Sequence, residues 1–204
     1  PPGGGKQDVT PRFLRHFNII GYVEMSKAST SMIFSMNLSA FLAGFEGGLV
    51  SMTDDIVHSS IDIFDTIVAE LLPTPSKSHY TFNLRDLAKI FQGVLMIDPK
   101  KVNDKEKLAR CWVHENLRVF GDRLTSDEDR NWLHDLLEKH VSDNLNLNWS
   151  DVVPHTKLIM GDFMNPDVEP ASRVYDEIED VSKLKIVVEE YLADHNSESK
   201  QPMP

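Results

Sequence analysis

Apolar positions recur along most of this chain at the three-and-four spacing of helices, interrupted at a few places by glycine and proline. The first apolar block is an exception. A short basic stretch, Arg12-Phe13-Leu14-Arg15-His16-Phe17, runs into Ile19-Ile20-Gly21-Tyr22-Val23. That block is β-rich and short enough for a buried strand. Residues 29–42 then carry Ile33, Phe34, Leu38, Phe41 and Leu42 at helical spacing, and Gly47-Gly48 separates this helix from the next. Thr53-Asp54-Asp55 caps a longer helix with Val57, Ile61, Phe64, Val68 and Leu71 on one face, and Pro73-Thr74-Pro75 stops it.

Asn83 caps a third helix, Leu84 to Met96, with Leu87, Phe91 and Val94 on its stripe and Arg85 and Asp86 off it in the first turn. After Asp98-Pro99 a fourth helix spans about Asp104 to Leu124. Ser126-x-x-Asp129 opens a fifth through Trp132, Leu133, Leu136, Leu137 and His140. Residues 142–171, rich in Asn, Asp and Pro, read as a connecting segment, and Ser172 to Leu192 is helical in pattern. The expected fold is mainly α: one strand, then an array of five helices and a loosely held connector. The strand, lacking a sheet to join, is expected to fray.

Composition narrows the functional classes. The chain has 204 residues, 41% of them hydrophobic and 26% charged, which is ordinary globular usage. A formal net charge of −11 opposes a phosphate backbone, so nucleic acid is not an expected partner. The acid is concentrated: residues 161–204 hold eleven acidic and four basic side chains, which read as a solvated face or an acidic linker. Cys111 stands alone, so it forms no intrachain disulfide. No apolar run reaches the roughly 18 residues of a membrane span, and no membrane partner is expected.

Catalytic motifs are missing. Gly3-Gly4-Gly5-Lys6 fails as a phosphate loop, because Gln7 follows the lysine and no strand precedes it. The eight histidines are scattered; His114-Glu115 lacks a second histidine, and His134 and His140, six apart, do not converge on one face, so no metal site is expected. No G-x-S-x-G element is present. Two arginine placements stand out instead. Arg12 and Arg15 precede the apolar block, where a guanidinium could reach a charged ligand held by a neighbour; a surface ion pair is the alternative. Arg85 sits in the first turn of a helix, where the dipole disfavours a cation, so it asks for an anionic partner. Asp86 or Glu70 could supply it.

These arginine segments carry a resemblance. Pro1-Pro2-Gly3-Gly4-Gly5 with Val9-Thr10-Pro11-Arg12-Phe13-Leu14-Arg15-His16-Phe17-Asn18 resembles the end of the large subdomain in the third AAA+ module of axonemal-type dynein heavy chains. Leu71-Leu72-Pro73-Thr74-Pro75-Ser76-Lys77-Ser78-His79-Tyr80-Thr81-Phe82-Asn83-Leu84-Arg85-Asp86 resembles that module's lid. Trp112-Val113-His114-Glu115 and Arg118-Val119-Phe120-Gly121-Asp122-Arg123-Leu124 match the lid helices that follow, and Tyr175-Asp176-Glu177-Ile178 the lead-in to the fourth module.

The resemblance implies a piece of an ATP-driven, microtubule-based motor. Residues 1–28 would close the large subdomain, 29–141 form the helical lid, and 142–204 make an acidic connector and the start of the next module. It implies that Arg15, with Arg12 as second candidate, is the arginine finger reaching the preceding module's nucleotide, and that Arg85 is the sensor 2 arginine contacting phosphate in its own module. ATP or ADP, with Mg only in the complete motor, is the implied cofactor; none is expected on the segment alone, which carries no Walker A or Walker B element and should be catalytically silent. Implied partners are the neighbouring AAA+ modules, dynein complex subunits and, through the full-length motor only, microtubules, in the cytoplasm and cytoskeleton of the ciliary axoneme. A stand-alone helical adaptor binding a protein through the acidic C-terminal region is the competing reading, and an independent enzyme has no motif behind it.

Overall fold

The computed structural model describes residues 9–23, 25–154, 158–198 and 203. A one-turn helix, α1 (Pro11–Leu14), is followed by the helices α2 (Lys27–Leu42), α3 (Thr53–Glu70), α4 (Leu84–Val94), α5 (Lys105–Val119) and α6 (Asp127–Asp143). Then come α7 (Trp149–Val152), the strands β1 (Met160–Gly161) and β2 (Asp176–Glu177), and α8 (Val181–Glu198). The molecule is mainly α, and the five central helices fall where the periodicity predicts them.

Local chemistry explains their starts. Ser26, Asp104 and Ser126 each turn a side-chain oxygen onto a backbone N–H two or three residues inside the next helix. These N–H groups have no partner within the helix, so each cap satisfies a donor that water would otherwise hold. Gly47 and Gly48 both have positive φ, and a Cβ on Gly47 would lie 2.6 Å from the Asn103 carbonyl oxygen. Only glycine fits that turn, which lets the chain enter α3 through a 3-10 turn at Leu49–Met52.

The core runs through α2 to α6. Leu38 and Leu42 of α2 meet Ile56, Val57, Ile61, Ile63 and Ile67 of α3, and the layer continues into Leu87, Ile90 and Val94 of α4 and Leu108, Trp112 and Val113 of α5. Trp112 is fully buried and donates its indole N–H to Ser60 Oγ at 2.8 Å, so its one polar atom is satisfied inside the core. α4 and α5 approach so closely at Gly93 that a Cβ there would sit 1.9 Å from Glu115 Oε2.

The first extended block frays as expected, and two expectations change: the last helix starts at Val181 rather than Ser172, after β2, and the connector is held. Residues 18–23 form no strand: they run without backbone pairing, and Ile19, Tyr22 and Val23 are 70%, 90% and 95% exposed. The apolar block is therefore not buried, because a single extended segment has no neighbour to take its N–H and C=O groups. The connector is not loose. Met160 and Gly161 pair antiparallel with Glu177 and Asp176, and Tyr175 makes a parallel bridge to Ile97 at the end of α4.

Side chains then fasten the connector to α5. Arg110 donates to Glu177 at 2.7 Å and to the Val152 and Asp151 carbonyls at 2.9 Å each; Lys107 pairs with Asp176 at 2.8 Å. Tyr175 donates its hydroxyl to Glu115, a fully buried carboxylate that also accepts from Arg118 at 2.6 and 2.9 Å. Burial, and the bond to Glu115, push the Tyr175 phenol far above its ordinary value, so it stays a donor. Part of the acid that reads as solvated in the sequence is thus engaged within the fold.

Candidate functional site

The candidate site is the N-terminal end of α4. Asn83 is extended and its side-chain oxygen accepts from the Arg85 N–H at 2.9 Å, while the Asn83 N–H donates to Asp86 Oδ2 at 3.1 Å, a reciprocal capping box. Asp86 is only 3% exposed, and its carboxylate faces inward. Arg123, from the 3-10 turn Gly121–Arg123 that ends α5, reaches it with Nη2 at 3.0 Å and Nη1 at 3.4 Å, and Lys89 approaches at 3.4 Å. Burial opposes ionisation of Asp86, but the Arg123 hydrogen bond, the Asn83 N–H and the guanidinium charge outweigh it and hold the carboxyl below its ordinary value.

The loop leading into α4 is held from the same side. Arg123 Nη1 also donates to the Thr81 carbonyl at 2.9 Å, and its guanidinium lies over the Phe82 ring at 5.1 Å. The His79 imidazole meets the Arg123 carbonyl at 3.0 Å. Tyr80, 2% exposed, donates to Asp129 Oδ2 at 2.8 Å and accepts from the Thr125 N–H at 3.0 Å, while Lys77 pairs with the same Asp129. Six residues of the segment 77–86 are therefore fastened to the α5–α6 junction.

Arg85 is the residue this arrangement leaves exposed. Among the described residues no carboxylate lies within ion-pair distance of its guanidinium, and Asp86, an anion the sequence offers it, is taken by Arg123 and Lys89. It projects from the first turn of α4, whose Arg85, Asp86 and Leu87 N–H groups are already taken by Asn83, so an anion there would be met by the guanidinium itself. A cleft of about 350 Å³ opens at the neighbouring Asn83 and Leu84; its lining includes Lys27 and Asp65 and does not include Arg85. A fixed guanidinium at a helix N-terminus can hold a phosphate or carboxylate oxygen bidentately, which a lysine would do poorly.

The other two arginines lie elsewhere. Arg12 is in α1 and Arg15 just after it, both exposed, and Arg15 Nε donates to His16 Nε2 at 3.1 Å. The described residues include no ion pair for either and no hydrogen bond from either to α4. Phe13 and Phe17 pack on one another with ring centroids 4.9 Å apart and stay half exposed. Among the described residues no group of three or more His, Cys, Asp or Glu side chains could hold a metal ion, and no helix is long and apolar enough to cross a membrane. Sequence reasoning left Arg123 among matched motif residues without a role. The Asn83-x-x-Asp86 spacing was a visible signal for the cap, but nothing in the sequence links Asp86 to a residue 37 positions away.

Comparison with known proteins identifies the family. A profile of the AAA+ lid domain matches residues 56–152, from within α3 to the end of α7. Dynein axonemal heavy chain 1 of Rattus norvegicus is 45% identical over 96% of this chain, and dynein axonemal heavy chain 12 of Mus musculus is 38% identical over all of it. Dynein axonemal heavy chain 6 of Homo sapiens is 39% identical over 96%. The chain spans 4%, 7% and 5% of these relatives' own lengths. A lid of AAA+ type, in a helical fold matched nearly end to end by these proteins, makes this chain a member of the axonemal dynein heavy-chain family, corresponding to one short segment of its relatives.

Proposed function

We propose that the chain serves as the lid of a dynein motor's third AAA+ module, with the end of that module's large subdomain before it and the lead-in to the fourth module after it. The observation that carries this reading is Arg85: an exposed guanidinium, without a carboxylate partner among the described residues, on a helix start fixed from behind. In the complete motor it contacts a phosphate of the nucleotide held by the large subdomain of the same module, as a sensor 2 arginine. Arg15, with Arg12 as second candidate, acts across the boundary as the arginine finger on the preceding module's nucleotide. Their exposure and the lack of a carboxylate partner among the described residues support that role.

ATP supplies the transferable phosphoryl group, and Mg would be held by parts of the motor outside this chain. The chain's own contribution is permanent charge at fixed positions. A guanidinium aimed where negative charge develops favours phosphoryl transfer without reorganising, an effect that reaches about 10³–10⁵-fold for arginine fingers. The neighbouring modules and the other dynein subunits are the partners, microtubules are engaged only through the full-length motor, and the axoneme, within the cytoplasm and its cytoskeleton, is the site of action. Of the acidic C-terminal region on which the adaptor reading rests, Asp176 and Glu177 are engaged by Lys107 and Arg110, while Glu179, Asp180, Glu189, Glu190 and Asp194 stay exposed.

The test is Arg85→Lys and Arg85→Ala in the full-length heavy chain, with ADP binding followed by hydrogen exchange of residues 81–88. The alanine variant is expected to raise the ADP concentration at half protection by about tenfold or more, and lysine to recover only part. Unchanged midpoints in both variants contradict the sensor role.

A further inference from the structure

We propose that Arg123 is a positioning residue for the nucleotide contact of Arg85, acting through Asp86 and the loop that enters α4. The proposal rests on the reading of Arg85 given above and adds a residue that touches no nucleotide itself.

One side chain gathers several of the contacts that hold the backbone of the first turn of α4, from which Arg85 projects. The Arg123 guanidinium bonds both oxygens of Asp86, the acid of the capping box that also receives the Asn83 N–H. It bonds the Thr81 carbonyl and covers the Phe82 ring, so the two residues before the cap are held by the same plane of charge. The Arg123 carbonyl is in turn met by His79. Arg85 lies one residue before Asp86, and its own N–H is bonded to Asn83. The first turn of α4 is thus referenced to the end of α5, not merely to its own helix.

Without Arg123 the Asp86 carboxylate keeps Lys89 at 3.4 Å and the Asn83 N–H at 3.1 Å but loses its forked partner. A buried carboxylate left half satisfied draws in water or protonates, and either outcome loosens the capping box. The helix start then samples several orientations, and a guanidinium displaced by about 1 Å loses much of its contact with a fixed phosphate. Lysine at position 123 keeps the charge but offers a point donor in place of a planar fork, so it cannot serve the carboxylate, the carbonyl and the ring together.

The experiment is a double-mutant cycle in the full-length heavy chain, using ADP and hydrogen exchange of residues 81–88 as the local readout. Arg123→Ala is expected to raise the ADP midpoint about 3–10-fold when Arg85 is present and to change it less than about twofold in the Arg85→Ala background. Arg123→Lys, which keeps a cation beside Asp86, is expected to fall between alanine and wild type. Equal loss in both backgrounds means that Arg123 acts on the fold at large and overturns the proposal. So does an unchanged midpoint in Arg123→Ala and Arg123→Lys while Arg85→Ala shifts it. An unchanged midpoint in Arg85→Ala overturns the reading of Arg85 and removes the proposal with it.

Discussion

Gly93 and Asp86 show how single positions carry the lid. At Gly93 the Glu115 carboxylate occupies the place of a side chain, so Gly93→Ala must push α4 from α5 or break the Glu115–Arg118 pair. A loss of about 1–3 kcal/mol or more is expected in urea unfolding, and an unchanged midpoint contradicts the packing described. Asp86 makes a prediction in pH. Its carboxyl titrates lower in the folded chain than in the unfolded one, so the stability it contributes is complete above about pH 4 and is lost as the pH falls through the folded value. Asp86→Asn should therefore be less stable than wild type at pH 7, with the difference shrinking as the pH falls below about 4; a difference that grows in acid contradicts this. The caps at Asn83 and Ser126 were legible in the sequence because each is a contact within three residues. Arg123–Asp86 was not, because nothing local marks a pair joined across two helices.

Among the elements, the five helices α2 to α6 were legible, while the one-turn helices α1 and α7, the start of α8 and the extended segments were not. Each helix from α2 to α6 buries one or more apolar residues, and all but α3 start at a polar cap; Thr53, expected to cap α3, lies inside it, and the 3-10 turn Leu49–Met52 leads in instead. β1 and β2 have two residues each, too short for any alternation to show, and they form because Arg110, Lys107 and Glu115 hold the connector against α5. The block at 18–23 has the composition of a strand and no partner to make it one. Tyr175→Phe tests the connector directly. It removes one hydroxyl from a buried carboxylate, so amide exchange across residues 158–178 should speed up by about tenfold while α3 and α4 keep their protection. Equal exchange in both proteins would mean that the connector is held by backbone pairing alone.

For the whole molecule, the proposed role requires a ligand held by another part of the motor. The core of α2–α6 is continuous, yet the described residues expose Ile19, Ile20, Tyr22 and Val23 on the N-terminal side and leave Arg85 without a carboxylate partner. The chain alone should turn over no ATP, and activity that disappears with Arg85→Ala would contradict that. In the full-length heavy chain the same arginine should be engaged. The most direct measurement is a structure of that heavy chain with ADP bound. The account predicts the Arg85 guanidinium within about 2.7–3.2 Å of a phosphate oxygen in the third module, with Asp86 still held by Arg123. Arg85 paired with a carboxylate, or turned to solvent while ADP occupies that module, would contradict it.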